Sequence, residues 1–334
     1  MPYSYTPLPT NHGFHSTKRR RIGLILAGLA GLVLFLSGVS LVLRKPIRFI
    51  PQKNFQDLHP PNVVDGSSPA ASSSTTAVVS TLYTDSYIWG TAVLGYSVRQ
   101  ANVASRLLLP YIEDRISPEA LCIARAVGWE PIATPLIKPP HNGKGIYFHF
   151  ADQYTKLTVW TLDKLGIKKA VYLDSDTLVR RNIDELFDLP FNFGAVPDVH
   201  GSKGGFLTNF NAGVLALRPS SSVFNQMMKV LESASYPLDQ AEQSFLNLFF
   251  VANVVRLPYA YNANLEIKRE SPKLWEGLKD EIRVVHYTQV KPFIREHGGN
   301  TKTWGSFAEE VGWWHQVFDE MMGELRDTIE ECQR

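Results

Sequence analysis

Residues 168–179 read KKAVYLDSDTLV. The run from Lys169 to Leu173 is short and apolar, and it stops on Asp174-Ser175-Asp176. Such a run, ended by polar residues, reads as a strand buried on both faces. In an open α/β sheet, ligands collect outside the carboxyl ends of the strands. Two carboxylates at i and i+2 on an irregular turn there can converge on one hard cation. Mn²⁺ or Mg²⁺ takes oxygen ligands and leaves positions open for phosphate oxygens. The chain has 15 aspartates, and this is its single Asp-x-Asp. On the residues alone, a pair of solvated turn aspartates capping the next segment remains the alternative.

Outward from that turn, strand and helix signals alternate. Residues 77–83, AVVSTLY, read as a first buried strand. Thr84-Asp85-Ser86 can end it and cap a helix through Ala92, Val93, Leu94 and Val98. Tyr154, Leu157 and Thr161 lie at helical spacing with Trp160 beside them. Residues 213–217 read as another strand, ended by Pro219. Residues 220–234 and 241–250 read as helices, and Val284 to Tyr287 as a late short strand. This alternation predicts an α/β sheet covered on both faces.

The chain of 334 residues is 44% hydrophobic and 20% charged, an ordinary globular composition. A formal charge of +2 gives no bulk electrostatic case for nucleic-acid binding. Two cysteines, Cys122 and Cys332, exclude a disulfide scaffold and a four-cysteine zinc site. They leave the redox compartment open.

The N-terminal part reads differently. No Asp or Glu precedes Asp57, and Lys18, Arg19, Arg20 and Arg21 form a basic block. Residues 22–43, IGLILAGLAGLVLFLSGVSLVL, carry no charge and would span ~33 Å as a helix, enough for a bilayer core. The run is longer than a cleaved signal peptide's apolar region, which favours an uncleaved signal anchor. Arg44, Lys45, Arg48 and Lys53 follow it, so the charge rule is nearly balanced; the compact block in front tilts residues 1–21 to the cytosol. Residues 44–77, rich in Pro, Ser and Thr, read as a flexible stem. The remainder, 78–331, is expected to form one catalytic domain.

Several segments together resemble glycosyltransferase family 8, which contains glycogenin and the galactinol synthases. They are STLYTDSYIWGTAVLGYSV, YTKLTVW, KKAVYLDSDTLVRRNIDELFDLP, GAVPDV, FNAGVLALRPS, LDQAEQSFLNLFF, YN and VVHYTQVKPF, in family order over residues 79–293. The resemblance implies a GT-A fold, an α/β nucleotide-diphospho-sugar transferase with a Rossmann-like mixed sheet. It also implies a UDP-sugar donor, Mn²⁺ with Mg²⁺ as substitute, and retention of anomeric configuration. By position, Asp174, Asp176 and His286 would hold the metal. Leu82, Thr84, Asp85 and Tyr87 match the stretch that holds uracil and ribose, with Ser175 also at the nucleotide. Lys291 would contact the diphosphate, and Lys156 would lie near the donor. Asp198, Asn211, Asp239, Glu242 and Gln243 would line the sugar.

Departures from the family pattern are Glu242 where Asp is common, Gln289 near a glycine position, Phe293 in place of Trp, and a loop one residue shorter than glycogenin's before Lys291. No counterpart of glycogenin's self-glucosylated segment follows Tyr261-Asn262, so an external glycan or glycoconjugate acceptor is expected. Anchor, stem and inferred chemistry together predict a single-pass Golgi membrane protein with a lumenal catalytic domain. A catalytically inactive anchored scaffold of the same fold is the alternative. Residues 200–205, HGSKGG, are expected to form a mobile loop beside the sugar site. Trp304, Phe307, Trp313 and Trp314 either stack an acceptor sugar or pack a terminal helix on the core, and the second use is expected.

Overall fold

The computed structural model describes residues 74–200, 205–294 and 305–334. The expected tail, anchor and most of the stem, residues 201–204 of the glycine-rich loop, and Trp304 lie outside the described residues. Among the described residues, no helix is long and apolar enough to cross a membrane.

The strands in chain order are β1 (Thr76–Val79), β2 (Arg106–Ile112), β3 (Glu130–Thr134), β4 (Lys169–Leu173), β5 (Thr177–Val179), β6 (Phe193–His200), β7 (Gly205–Leu217), β8 (Val255–Arg256), β9 (Ala263–Asn264) and β10 (Val284–His286). Seven of them form a sheet in the order β3-β2-β1-β4-β7-β6-β8. The β3-β2-β1-β4 part is parallel, and β7 runs antiparallel to both β4 and β6. Thr76 and Ala77, placed in the stem by composition, already belong to β1 and pair with Lys169 and Ala170.

The β4 run alternates between two cores, as a strand buried on both faces must. Val171 and Leu173 pack with helices α1 (Ile88–Gln100) and α2 (Pro118–Ala126) on one face. Ala170 and Tyr172 pack on the other face with a long 3₁₀ segment (Phe148–Leu165) and helices α3 (Ser221–Val230) and α4 (Ala241–Phe249). The apolar side chains of this strand are at most 2% exposed, and burial of each larger one is worth about 1.5–3 kcal/mol. Helices α5 (Leu265–Glu270) and α6 (Pro272–Leu278) lead into β10.

The last helix, α7 (Ala308–Cys332), covers the α1/α2 side. Trp314 is buried and stacks on Phe318 with centroids 5.3 Å apart. Buried Glu310 accepts hydrogen bonds from Lys268 Nζ and from Trp275 Nε1. The Arg180 guanidinium lies 3.7 Å over the Trp313 ring. Phe307, Trp313 and Trp314 therefore pack this helix onto the body. At its end, Cys332 is bonded to Cys122 of α2, with Cα atoms 5.5 Å apart. The bond closes a loop of 210 residues, and such a tie stabilises chiefly by restricting the unfolded chain. Cys122→Ser or full reduction is expected to cost about 2–5 kcal/mol, read as a lowered urea midpoint, while an unchanged midpoint would show the tie to be idle.

Candidate active site

β1 pairs with β2 on one side and β4 on the other, so the sheet order reverses between β1 and β4. A crevice opens at such a point, beyond the strand ends. Here it is a cavity of about 980 Å³ lined by the segments after β1 and β4, the ends of β6 and β10, the middle of β7, and the start of α4.

Asp174 follows β4, and its N–H is held by the carbonyl of Gly213 on β7 at 2.8 Å. The turn then enters β5, which pairs antiparallel with β10 so that His286 lies opposite Thr177. The Tyr287 N–H donates to the Asp176 carbonyl at 2.9 Å. This second, three-stranded sheet of β5, β10 and β9 is what carries a histidine from late in the chain to the aspartate turn. Ligand atoms of Asp174, Asp176 and His286 all lie within 4.8 Å of one another. His286 Nε2 is 3.2 Å from Asp176 Oδ1 and 4.0 Å from Asp174 Oδ2. Two carboxylates and one imidazole form a donor set suited to a divalent first-row ion, so these residues fit a metal.

The histidine tautomer follows from a chain of side-chain amides. Asn211 Oδ1 accepts from the Gly213 N–H at 2.9 Å, and Asn211 Nδ2 donates to Asp198. Asn211 Oδ1 therefore also accepts Asn262 Nδ2 at 2.9 Å, which turns Asn262 Oδ1 towards His286 Nδ1 at 3.0 Å. With its proton on Nδ1, the ring presents the Nε2 lone pair to the carboxylates. A methyl group at Gly213 would overlap the His286 ring, which is why the FNAG segment ends in glycine. Asn262→Ala is expected to weaken Mn²⁺ binding by about 10–100-fold, the usual cost of losing a partner behind a ligand. Gly213→Ala should weaken it as well; Mn²⁺ affinity unchanged in both variants, by electron paramagnetic resonance titration, would remove this role.

Lys291 Nζ donates to Asp176 Oδ2 at 2.5 Å and to the Tyr287 carbonyl at 2.6 Å. The shorter loop and Phe293 thus still bring the ammonium to the aspartate turn. Phe293 meets Tyr87 edge-on at 5.2 Å, and a Cβ on Gly90 would strike both Phe293 and the Ser175 carbonyl. Burial pushes the Asp176 carboxyl up, but the opposing effects, the Lys291 ammonium foremost, outweigh it and hold the group far below the usual carboxylate range.

Lys156 is 1% exposed. Its ammonium lies 2.7 Å from Glu242 Oε1, 3.0 Å from Asp174 Oδ1 and 3.2 Å from the Ala212 carbonyl. Burial alone would push its pKa down; two carboxylates around one ammonium raise it instead. Glu242 is pushed up by burial, which Lys156 offsets only in part while Asp174 adds to it. Tyr172 is kept neutral by burial and by Asp174, to which its hydroxyl donates at 2.7 Å. Asp198 accepts from Asn211 and from Gln243 Nε2, and Gln243 Oε1 accepts from the Ala212 N–H. Ala241, at φ 46°, joins a short 3₁₀ turn (Leu238–Gln240) to α4, so that Asp239 and Glu242 line the same cavity.

Thr84, Tyr87, Ser175 and the other expected residues line this cavity, but Leu82 and Asp85 do not. Leu82 is fully buried, and its N–H and carbonyl are spent on Pro110 and Ile112 across a bridge to the neighbouring chain segment. Its neighbours Thr81 and Tyr83 line the cavity instead. Asp85 Oδ1 accepts from the N–H of Ser117, the cap residue of α2. The motifs also passed over Tyr147-Phe148-His149-Phe150, four consecutive rings on the cavity rim, with Phe148 90% exposed. Their only sequence signal was aromatic density ahead of a helical pattern.

Residues 78–307 match the family described as Glycosyl transferase family 8. Glycogenin of Neurospora crassa is 28% identical over 246 residues, which cover 72% of this chain and 34% of that protein. Inositol phosphorylceramide glucuronosyltransferase 1 of Arabidopsis thaliana is 27% identical over 245 residues, covering 66% and 43% respectively. The chain spans less than half the length of these two curated relatives. Among solved structures, the apo-form glycosyltransferase GlyE of Streptococcus pneumoniae TIGR4 aligns with a TM-score of 0.52 at 18% identity, covering 77% of this chain and 62% of that one. That likeness speaks for the GT-A-like α/β fold, and the match over 78–307 for more: the chain belongs to glycosyl transferase family 8.

Proposed function

We propose that the protein is a retaining hexosyltransferase that moves a hexosyl unit from a UDP-sugar to an external glycan or glycoconjugate, with Mn²⁺ or Mg²⁺ held by Asp174, Asp176 and His286. The observation that carries this reading is the convergence of those three side chains at the switch-point cavity, beside Lys291. A divalent ion there would supply Lewis-acid stabilisation of the charge on the departing diphosphate. Lys291 uses two of its three N–H groups on Asp176 and Tyr287, leaving one for a phosphate oxygen. That ammonium is in place before reaction, so it strengthens the same stabilisation without reorganising.

On the sugar side, Asn211 and Gln243 hold Asp198 in place and add no charge of their own. Glu242 is tied to Lys156, which suits a positioning role better than attack on the anomeric carbon. Front-face substitution, with the leaving phosphate helping to deprotonate the acceptor hydroxyl, is the preferred route to retention. The exposed rings at 147, 148 and 150 on the rim support an acceptor that offers an apolar sugar face, since exposed apolar clusters beside a cleft mark binding surfaces.

The proposed setting is the Golgi lumen, with residues 22–43 as the anchor. The Cys122–Cys332 bond supports an oxidising compartment. Protease protection of the body in sealed microsomes is the expected result, and digestion from outside would reverse the topology. For the activity, full-length protein in detergent would be screened with UDP-sugars and Mn²⁺ for UDP release. Metal-dependent turnover of one donor is expected. A folded protein that binds neither UDP nor any UDP-sugar would favour the anchored scaffold.

A further inference from the structure

Resting on the metal reading above, we infer that Tyr172 is a positioning residue of the cation site: with Thr81 behind it, its hydroxyl occupies Oδ1 of Asp174 and so leaves Oδ2 as the oxygen presented to the ion. The sequence already puts the two side chains together. Side chains two apart along an extended chain share a face. Tyr172 lies in β4 two residues before Asp174, while Leu173 between them packs in the opposite core. Tyr172 is 1% exposed, and a buried phenol must find a partner for its hydroxyl. Here it finds one at the wall of the cavity.

The direction of each hydrogen bond is fixed by proton count. A phenol carries one proton. It goes to Asp174 Oδ1 at 2.7 Å, so the 2.9 Å contact with Thr81 Oγ1 is donated by the threonine. Lys156 Nζ reaches the same carboxylate oxygen at 3.0 Å. Oδ1 therefore has two donors, while Oδ2 is the oxygen that faces His286 Nε2, at 4.0 Å. The two donors are not equivalent. The ammonium is shared among Asp174, Glu242 and the Ala212 carbonyl, whereas the phenol proton serves Asp174 alone. Turning the carboxylate to bring Oδ1 into the cation site would break both bonds. Asp174 is thereby held to one oxygen towards the ion. A single oxygen suits Mn²⁺ or Mg²⁺, which keep positions for phosphate or water. Ca²⁺ takes about six to eight oxygens and readily accepts both oxygens of one carboxylate.

The test is Mn²⁺ titration of full-length protein by electron paramagnetic resonance, with Ca²⁺ as competitor. Tyr172→Phe keeps the ring that lies 4.9 Å from Lys156 Nζ and deletes only the hydroxyl. It is expected to bind Mn²⁺ about 10–100-fold more weakly, the usual loss when the partner behind a ligand is removed. Ca²⁺ should lose less, because a freed Asp174 can offer both oxygens, so the preference for Mn²⁺ over Ca²⁺ narrows. General damage to the fold would weaken both ions alike. Thr81→Val keeps the phenol, removes its support, and carries the test if Tyr172→Phe does not fold. It is expected to weaken Mn²⁺ in the same direction and by less. Mn²⁺ affinity at the parent level in either variant, or equal losses for both ions in Tyr172→Phe, overturns the inference and leaves the metal reading standing. A folded parent that binds no Mn²⁺ overturns both.

Discussion

Asp176→Asn is expected to remove metal-dependent turnover, by roughly 10²–10³-fold or more, in line with the loss of a preorganised group at a developing charge. The two oxygens of Asp176 have separate tasks. Oδ1 faces His286 Nε2 at 3.2 Å, and Oδ2 receives Lys291 at 2.5 Å. An amide supplies one oxygen and one NH₂, so it must point a donor at one of these neighbours and loses its charge towards both. The backbone is spared, because its tie to β10 runs through the Asp176 carbonyl and the Tyr287 N–H. Circular dichroism and the melting curve should therefore show a folded variant, while Mn²⁺ titration shows weakened binding. Turnover retained at the parent level would sink the assignment of this turn to the metal.

The second large effect is on stability. Lys156→Met would leave Glu242 and Asp174 facing each other's charge without the ammonium between them. Removing one partner of a buried ion pair typically costs about 3–5 kcal/mol. In the parent, the raised lysine pKa means its contribution is complete below the ordinary lysine range and is lost only at pH above it, so stability through neutral pH is unaffected. In the variant, the carboxyl of Glu242 loses the partner that opposes its upward shift. A raised carboxyl favours the fold most when protonated, so the variant should regain stability as pH falls from 7.5 towards 5. The parent should gain nothing comparable. Urea midpoints at both pH values test this, and Lys156→Met combined with Glu242→Gln should recover part of the loss at pH 7.5. A single variant as stable as the parent at pH 7.5 would show the ion cluster to be dispensable to the fold.

The aspartate turn was legible because two independent constraints meet in one stretch. β4 must be apolar on both faces, and its end must carry polar residues, so composition alone marks both the strand and its edge. Lys156 was placed near the donor by motif, yet its burial between two carboxylates depends on α4 and β4 meeting in space, which no local pattern records. Leu82 shows a different limit. Side chains of extended chain alternate faces, so adjacent residues in one motif point to opposite sides. The motif spans this segment, and the fold turns Thr81 and Tyr83 to the cavity while Leu82 enters the core. Asn262 carries no local signal beyond the Tyr261-Asn262 pair, because its contacts run to Asn211 and His286, 51 and 24 residues away.

The bond between α2 and the end of α7 has a practical corollary. A single cut of the chain anywhere between residues 122 and 332 would yield two pieces that stay covalently joined. A nicked molecule would keep the full-length molecular mass, apart from the water added at the break, and separate only after thiol treatment. Gels run with and without reductant thus count breaks that an ordinary purity check would overlook.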